Sequence, residues 1–155
     1  MRQIVTAFII SLLAIGCQPE ERVYLEYQEL SPNLEWLAED AKEFKVPVED
    51  KSKAYNMSLA FRYISGYSYP FAKVLVTETS PSGTETETVY DLKIIDRNGE
   101  YIGEAGYEIW DSEHLVEPNK KYLETGTYTY TIKHNMSVDP LDNVMEIGVI
   151  LDEVK

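Results

Sequence analysis

Tyr55-Asn56-Met57-Ser58-Leu59-Ala60-Phe61-Arg62-Tyr63 sets a large apolar or aromatic side chain at each odd position and a small or polar one at each even position. Side chains alternate across a β-strand with period two, so this stretch predicts a strand with one face in a core. Downstream, Ser65-Gly66-Tyr67-Ser68 has turn composition, and Phe71 to Thr79 forms the next strand with Val74 and Val76 on one side. Pro81-Ser82-Gly83 is a second turn, followed by a long strand from Glu85 to Asp96. Asp96-Arg97-Asn98-Gly99 carries the strongest hairpin signal, because Asn-Gly accepts the positive φ of a tight turn. Tyr101-Ile102-Gly103 returns, and Tyr107-Glu108-Ile109-Trp110 continues beyond the Gly103–Gly106 bend. The polar stretch 111–121 is expected to cross to another part of the sheet. Thr127-Tyr128-Thr129-Tyr130-Thr131-Ile132 alternates again, Asp139-Pro140-Leu141-Asp142-Asn143 turns, and Met145, Ile147, Val149 and Leu151 line the last strand.

Upstream, Val23 to Tyr27 forms a short strand stopped at Ser31-Pro32-Asn33. Leu34, Leu37, Ala41 and Phe44 fall near one helical face, which predicts a short helix capped by Asn33. Trp36 falls off that face, so an extended alternative stays open. Many strands, frequent turns and almost no helix define an all-β fold. The expected architecture is a single antiparallel β-sandwich, Ig-like or jelly-roll-like, with a barrel as the alternative.

The amino terminus reads differently. Met1-Arg2 is followed by a short, mostly apolar run from Ile4 to Ile15, and then by Leu13-Ala14-Ile15-Gly16-Cys17. Charged start, apolar middle and small residue at the cut is the order of a secretory signal. Its ending resembles a lipobox, although Ala14 stands where leucine is commoner. A membrane span needs roughly 20 apolar residues, and Gln18-Pro19-Glu20-Glu21-Arg22 follows too soon. The expected organisation is therefore a lipoprotein signal peptide over 1–16, a lipidated tether over 17–22 and the sandwich over 23–155. Cys17 would carry diacylglyceryl and N-acyl (palmitate-type) chains. At about 0.8 kcal/mol per buried methylene, two or three chains hold a protein durably at a membrane where one does not.

Removing residues 1–16 from 155 leaves 139, enough for one core. Loss of Arg2 takes the formal charge from −13 to −14. That balance speaks against nucleic acid, whose phosphates need a basic stripe, and against the domain itself lying on anionic lipid. Twelve tyrosines and two tryptophans suit half-buried strands, or sugar stacking if some rings are exposed.

Catalytic signals are scarce. The single cysteine, committed to lipid, excludes a thiol nucleophile and a cysteine zinc site in the mature domain. His114 and His134 lack metalloprotease spacing, and His114 reads as a solvated loop histidine after Asp111-Ser112-Glu113. No resident metal or dissociable cofactor is expected. The turns at Asp96, Asn98, Gly99 and Glu100 and at Asp139, Asp142 and Asn143 gather hard oxygen donors, so calcium is a secondary option, against ordinary turn chemistry. Paired carboxylates will occur by chance among 27 acidic residues, and nothing marks one pair as buried. Tyr67, Tyr69, Pro70 and Phe71, joined by Trp110, form the candidate binding patch. The plainer reading is that they cover the end of the sandwich, with Pro70 blunting an edge. Tyr69–Pro70 is left open as cis or trans.

The residues also resemble the GldH-type gliding-motility lipoproteins. The likeness begins at the lipobox and Trp36, and passes through Phe44, Asp50, Tyr55-Asn56, Arg62-Tyr63, Tyr69-Pro70 and Pro81-Ser82-Gly83. It continues through Thr88, Leu92, Asp96, Gly99, Gly103 and Asp111 to Gly126–Ile132, Met136, Leu141, Val144 and Ile147-Gly148-Val149. Two positions depart from the family pattern: Tyr101 stands in place of tryptophan, and Ser137 in place of arginine. The resemblance implies a non-enzymatic cell-envelope protein, anchored by lipid and supporting gliding or surface machinery through protein partners. Gln18 after Cys17 lacks the aspartate of inner-membrane retention, which implies the outer membrane; Glu20-Glu21 is a weaker surface-export mark. The rival expectation is a carbohydrate-binding surface lipoprotein using Tyr67, Tyr69, Trp110 or Trp36 as glycan platforms.

Overall fold

The computed structural model describes residues 21–155, and Cys17 with its signal lies outside them. Eleven strands follow in order: β1 (Arg22–Glu29), β2 (Glu35–Trp36), β3 (Lys42–Val48), β4 (Tyr55–Ile64), β5 (Phe71–Thr79), β6 (Glu85–Lys93), β7 (Glu104–Gly106), β8 (Ile109–Lys120), β9 (Gly126–His134), β10 (Leu141–Asp142) and β11 (Val144–Glu153). One sheet has the order β1-β11-β4-β8-β7, the other β3-β9-β5-β6, and β10-β2 forms a two-residue clasp. Every pairing is antiparallel. The chain is an all-β antiparallel sandwich.

The 55–63 alternation becomes the central strand of the larger sheet. Tyr55, Met57, Leu59, Phe61 and Tyr63 are all buried against Phe44, Val46 and Val48 of β3, Val74 and Val76 of β5, and Tyr128, Tyr130 and Ile132 of β9. Each such large side chain contributes about 1.5–3 kcal/mol by leaving water. The even positions are partly covered too. Ser58, Ala60 and Ile150 face outward yet are shielded beneath Leu25, Tyr27, Leu115 and the long Arg62 side chain.

Three expectations are corrected. Residues 34–44 form no helix: β2 and turns lead into β3, in which Phe44, Val46 and Val48 alternate inward. The fully buried Trp36 ring donates from its indole nitrogen to the Asp40 carbonyl at 2.7 Å, holding the segment in a turn. The polar stretch 111–121 is no crossover either, since most of it is β8, paired along β4 from Ile109 to Lys120. His114 therefore sits in a strand, not in a solvated loop. The return after the Asn98-Gly99 hairpin is a single bridge, Ile95 to Tyr101. The cis peptide bond among the described residues is Asp139–Pro140, so Tyr69–Pro70 is trans.

Strand direction sets two poles. Arg22 pairs with Asp152, which in turn pairs with Asn56, so the start of β1, the start of β4 and the end of β11 share one pole. At the other pole lie Ile64, Tyr67, Pro70, the start of β5 and the end of β9. Ten residues of β4 separate the poles, about 30 Å at roughly 3.3 Å per residue.

Candidate functional site

The pole away from Arg22 is built on a chain of aromatic rings. Phe61, Tyr63, Tyr67 and Tyr69 stand in succession at centroid distances of 5.7–6.1 Å, and Tyr63 also meets Tyr101, which meets Trp110 at 5.3 Å. Tyr67 is buried at 1% exposure, and its hydroxyl donates to the Phe71 carbonyl at 3.0 Å. Burial raises its pKa, and burial pushes that of Tyr63 up to about 12. Tyr101 ties the turn together: its hydroxyl donates to the Tyr67 carbonyl and accepts from the Gly66 N–H. A phenol at this position thus holds the 65–68 turn through two hydrogen bonds.

On this base Tyr69, Pro70 and Phe71 meet Asn135 and Met136 in an open cleft of about 340 Å³ that Ser137 also lines. Phe71 is 44% exposed. The Lys73 N–H lies 3.2 Å from Met136 Sδ, the Asn135 N–H donates to the Lys73 carbonyl, and Lys73 Nζ pairs with Asp91 at 2.6 Å. An apolar floor with one paired charge at its rim suits a protein side chain or backbone more than a free ion. Behind the cleft the buried His134 accepts a 3.4 Å hydrogen bond at Nδ1 from the Met136 N–H, and its Nε2 lies 3.7 Å from Asp139. Burial lowers its pKa.

The sequence-predicted patch is therefore divided. Tyr69, Pro70 and Phe71 share the cleft, and Tyr67 is its buried support. Trp110 stands apart against Tyr101, its indole nitrogen donating to Ser65 Oγ at 3.2 Å. Trp36 is a core residue edge-on to His134. Buried rings cannot stack on sugar, so Tyr67 and Trp36 do not serve as platforms. Met136 and Asn135 carried no local signal that could have joined them to Tyr69; only the β5–β9 pairing does.

A second cleft opens between β6 and β8. Lys120 Nζ bridges Glu78 at 2.8 Å and Glu117 at 2.6 Å. The Tyr130 hydroxyl donates to Glu78, the Tyr90 hydroxyl to Glu117, and Tyr122 and Tyr130 share a 2.8 Å hydrogen bond. Burial opposes the Lys120 charge, but hydrogen bonds to Glu117 and Glu78 more than offset it, and its pKa is raised. Burial likewise raises the pKa of Tyr122 and Tyr130. The two carboxylates are held together by the cation between them. Pairs at long sequence separation leave no mark on local patterning, which is why this network was not foreseen.

His114 Nε2 lies 2.9 Å from Ser112 Oγ, and burial lowers its pKa to about 4. At the Asp96 turn, Oδ1 accepts from the Asn98 and Glu100 N–H groups. Asp139 Oδ1 accepts from the Ala38 N–H. Among the described residues no three His, Cys, Asp or Glu side chains are arranged to hold a metal ion, and no helix is long and apolar enough to cross a membrane.

Paired surface charges, shallow clefts and antiparallel sheets describe an all-β sandwich domain. The chain belongs to the GldH lipoprotein family, whose sequence pattern matches residues 22–151. It is 24% identical over 146 residues to the gliding motility lipoprotein GldH homolog of Christiangramia forsetii, covering 94% of this chain and 88% of that one. It is 22% identical over 152 residues to the gliding motility lipoprotein GldH of Flavobacterium johnsoniae, covering 94% of this chain and 92% of that one. No solved structure matches.

Proposed function

We propose that this chain is a lipid-anchored, non-enzymatic envelope protein that supports gliding or surface machinery by protein–protein contact. Diacylglyceryl and N-acyl chains on Cys17 hold it at the membrane, by analogy the outer one, and the contact is made at the opposite pole. The observation that carries this reading is polarity. The described chain enters the sandwich at Arg22, five residues after Cys17, whereas the Tyr69–Pro70–Phe71–Met136 cleft lies about 30 Å further along the strands. Anchoring in a thin layer raises the effective concentration of that surface for its neighbours. Membership of a lipoprotein family named for gliding motility supports the anchor and the setting.

The test is Cys17→Ser in the full chain, expressed in its native host. Metabolic labelling with an alkyne fatty acid and sedimentation with envelope membranes are expected for the wild type and lost in the variant. A serine variant that still sediments with the envelope overturns the anchor.

A further inference from the structure

Among the described residues, each sheet edge but one carries a device that discourages another strand from adding to it. β1 has an irregular register between Arg22 and Tyr24. β3 contains Pro47, which has no N–H to donate. These two edges are also stitched to each other, Gln28 Nε2 donating to the Glu43 carbonyl at 2.6 Å. β7 is three residues long, and beyond it β8 is interrupted by two register shifts, Pro118 and the positive φ of Asn119. β2 and β10 are two residues each.

β6 is the exception. Its nine residues pair with β5 in one unbroken register from Phe71–Lys93 to Thr79–Glu85, and among the described residues no strand pairs with its other side. It contains no proline, glycine or bulge, and Glu85 to Val89 are all exposed. Half of its N–H and C=O groups face outward, as in any antiparallel edge. Thr86 and Thr88 are turned toward the β6–β8 cleft but stay exposed, because that side of the sandwich is open. Glu85, Glu87, Asp91 and Lys93 project from the outer face, where Asp91 is already paired with Lys73 Nζ at 2.6 Å, so the open carboxylates are those of Glu85 and Glu87.

We propose that β6 is a β-augmentation site that takes an extended, basic segment of a partner protein as a fifth strand of the smaller sheet. This deepens, and rests on, the reading of the domain as a protein-contact module. Backbone pairing along β6 supplies the attachment. Lys or Arg at alternate positions of the incoming strand would lie beside Glu85 and Glu87, and the intervening side chains would close over Thr86, Thr88 and Leu123, which is 88% exposed. A second copy of this strand gains less from charge than a basic segment does: antiparallel self-pairing centred on Val89 sets Glu87 against Asp91 twice and Glu85 against Lys93 twice, so repulsion and attraction offset each other.

The probe is a capped nine-residue peptide alternating lysine with threonine and valine, added to the full chain purified from membranes in non-ionic detergent. Hydrogen exchange is expected to slow about tenfold at alternate amides of Thr86–Tyr90. The effect should vanish with glutamate in place of lysine, with backbone N-methylation along one peptide edge, and in Glu85→Lys/Glu87→Lys. No protection overturns the site; equal binding of the N-methylated peptide shows charge attraction alone and also overturns it; equal protection by the glutamate peptide overturns the basic partner. Gliding assays separate the two levels. If Glu85→Lys/Glu87→Lys cells glide normally while Phe71→Ser cells do not, the edge proposal falls and the contact reading stands. If both variants glide normally, both fall.

Discussion

The Lys120 ammonium lies 2.8 Å from the Glu78 carboxylate, joining the last residue of β8 in one sheet to β5 in the other. The lysine side chain is 14% exposed and also holds Glu117, so one cation bridges two carboxylates where the sandwich is open. Lys120→Met would leave them facing each other without a counter-charge. The expected loss is about 3 kcal/mol, read as a lower Tm at neutral pH.

Gly148 lets β1 and β4 approach β11. A Cβ there would meet the Glu26 carbonyl oxygen at 2.8 Å, Tyr27 Cδ1 at 2.9 Å and the Ala60 Cβ at 3.2 Å. Because the nearest obstacle is backbone, Gly148→Ala is expected to cost about 1–3 kcal/mol through displacement of β1. Denaturant unfolding gives the magnitude, and earlier proteolysis within Arg22–Glu29 would identify the strand that moves.

His114 gives the fold an acid sensitivity. Burial lowers its pKa from 6.5 to about 4, so between those values the unfolded chain binds a proton that the folded chain refuses. Stability is fully present above pH 6.5, falls as pH drops toward 4, and loses about 3 kcal/mol from this group over that window. His114→Gln retains a partner for Ser112 Oγ and does not titrate. Its stability-against-pH curve should be flatter by that amount.

Phe71→Ser should separate function from stability. The ring is 44% exposed in the distal cleft, so the unfolding free energy is expected to change by less than about 0.5 kcal/mol. Complementation of gliding by the full chain is expected to fail. Normal gliding with the serine variant removes the cleft from the function.

Much of the sandwich is legible in residues whose alternation is unbroken. Tyr55–Tyr63, Phe71–Thr79 and Thr127–Ile132 each put their alternate large side chains inward where period two sets them. The helical reading of 34–44 fails because Leu34, Leu37, Ala41 and Phe44 fit a 3.6 period by coincidence. Phe44, Val46 and Val48 carry a true period of two that Pro47 disguises, and an edge position tolerates proline. β8 was hidden for a different reason: it turns Ser112 and His114 inward, so hydropathy marks it as a loop. In the distal cleft, Tyr69, Pro70 and Phe71 were visible because they are consecutive. Met136 joins them from 65 residues beyond Phe71, and Tyr67 proved buried because composition cannot say which ring of a cluster lies underneath.

The pairing of Arg22 with Asp152 brings the first and last strands of the described chain side by side. With lipid on Cys17, a fluorescent protein fused after Lys155 would be wedged against headgroups and would crowd the anchor. An epitope spliced at Asn98, in the hairpin beside Pro70 and Tyr101, would instead stand clear of the bilayer, where an antibody could reach it without disturbing either sheet.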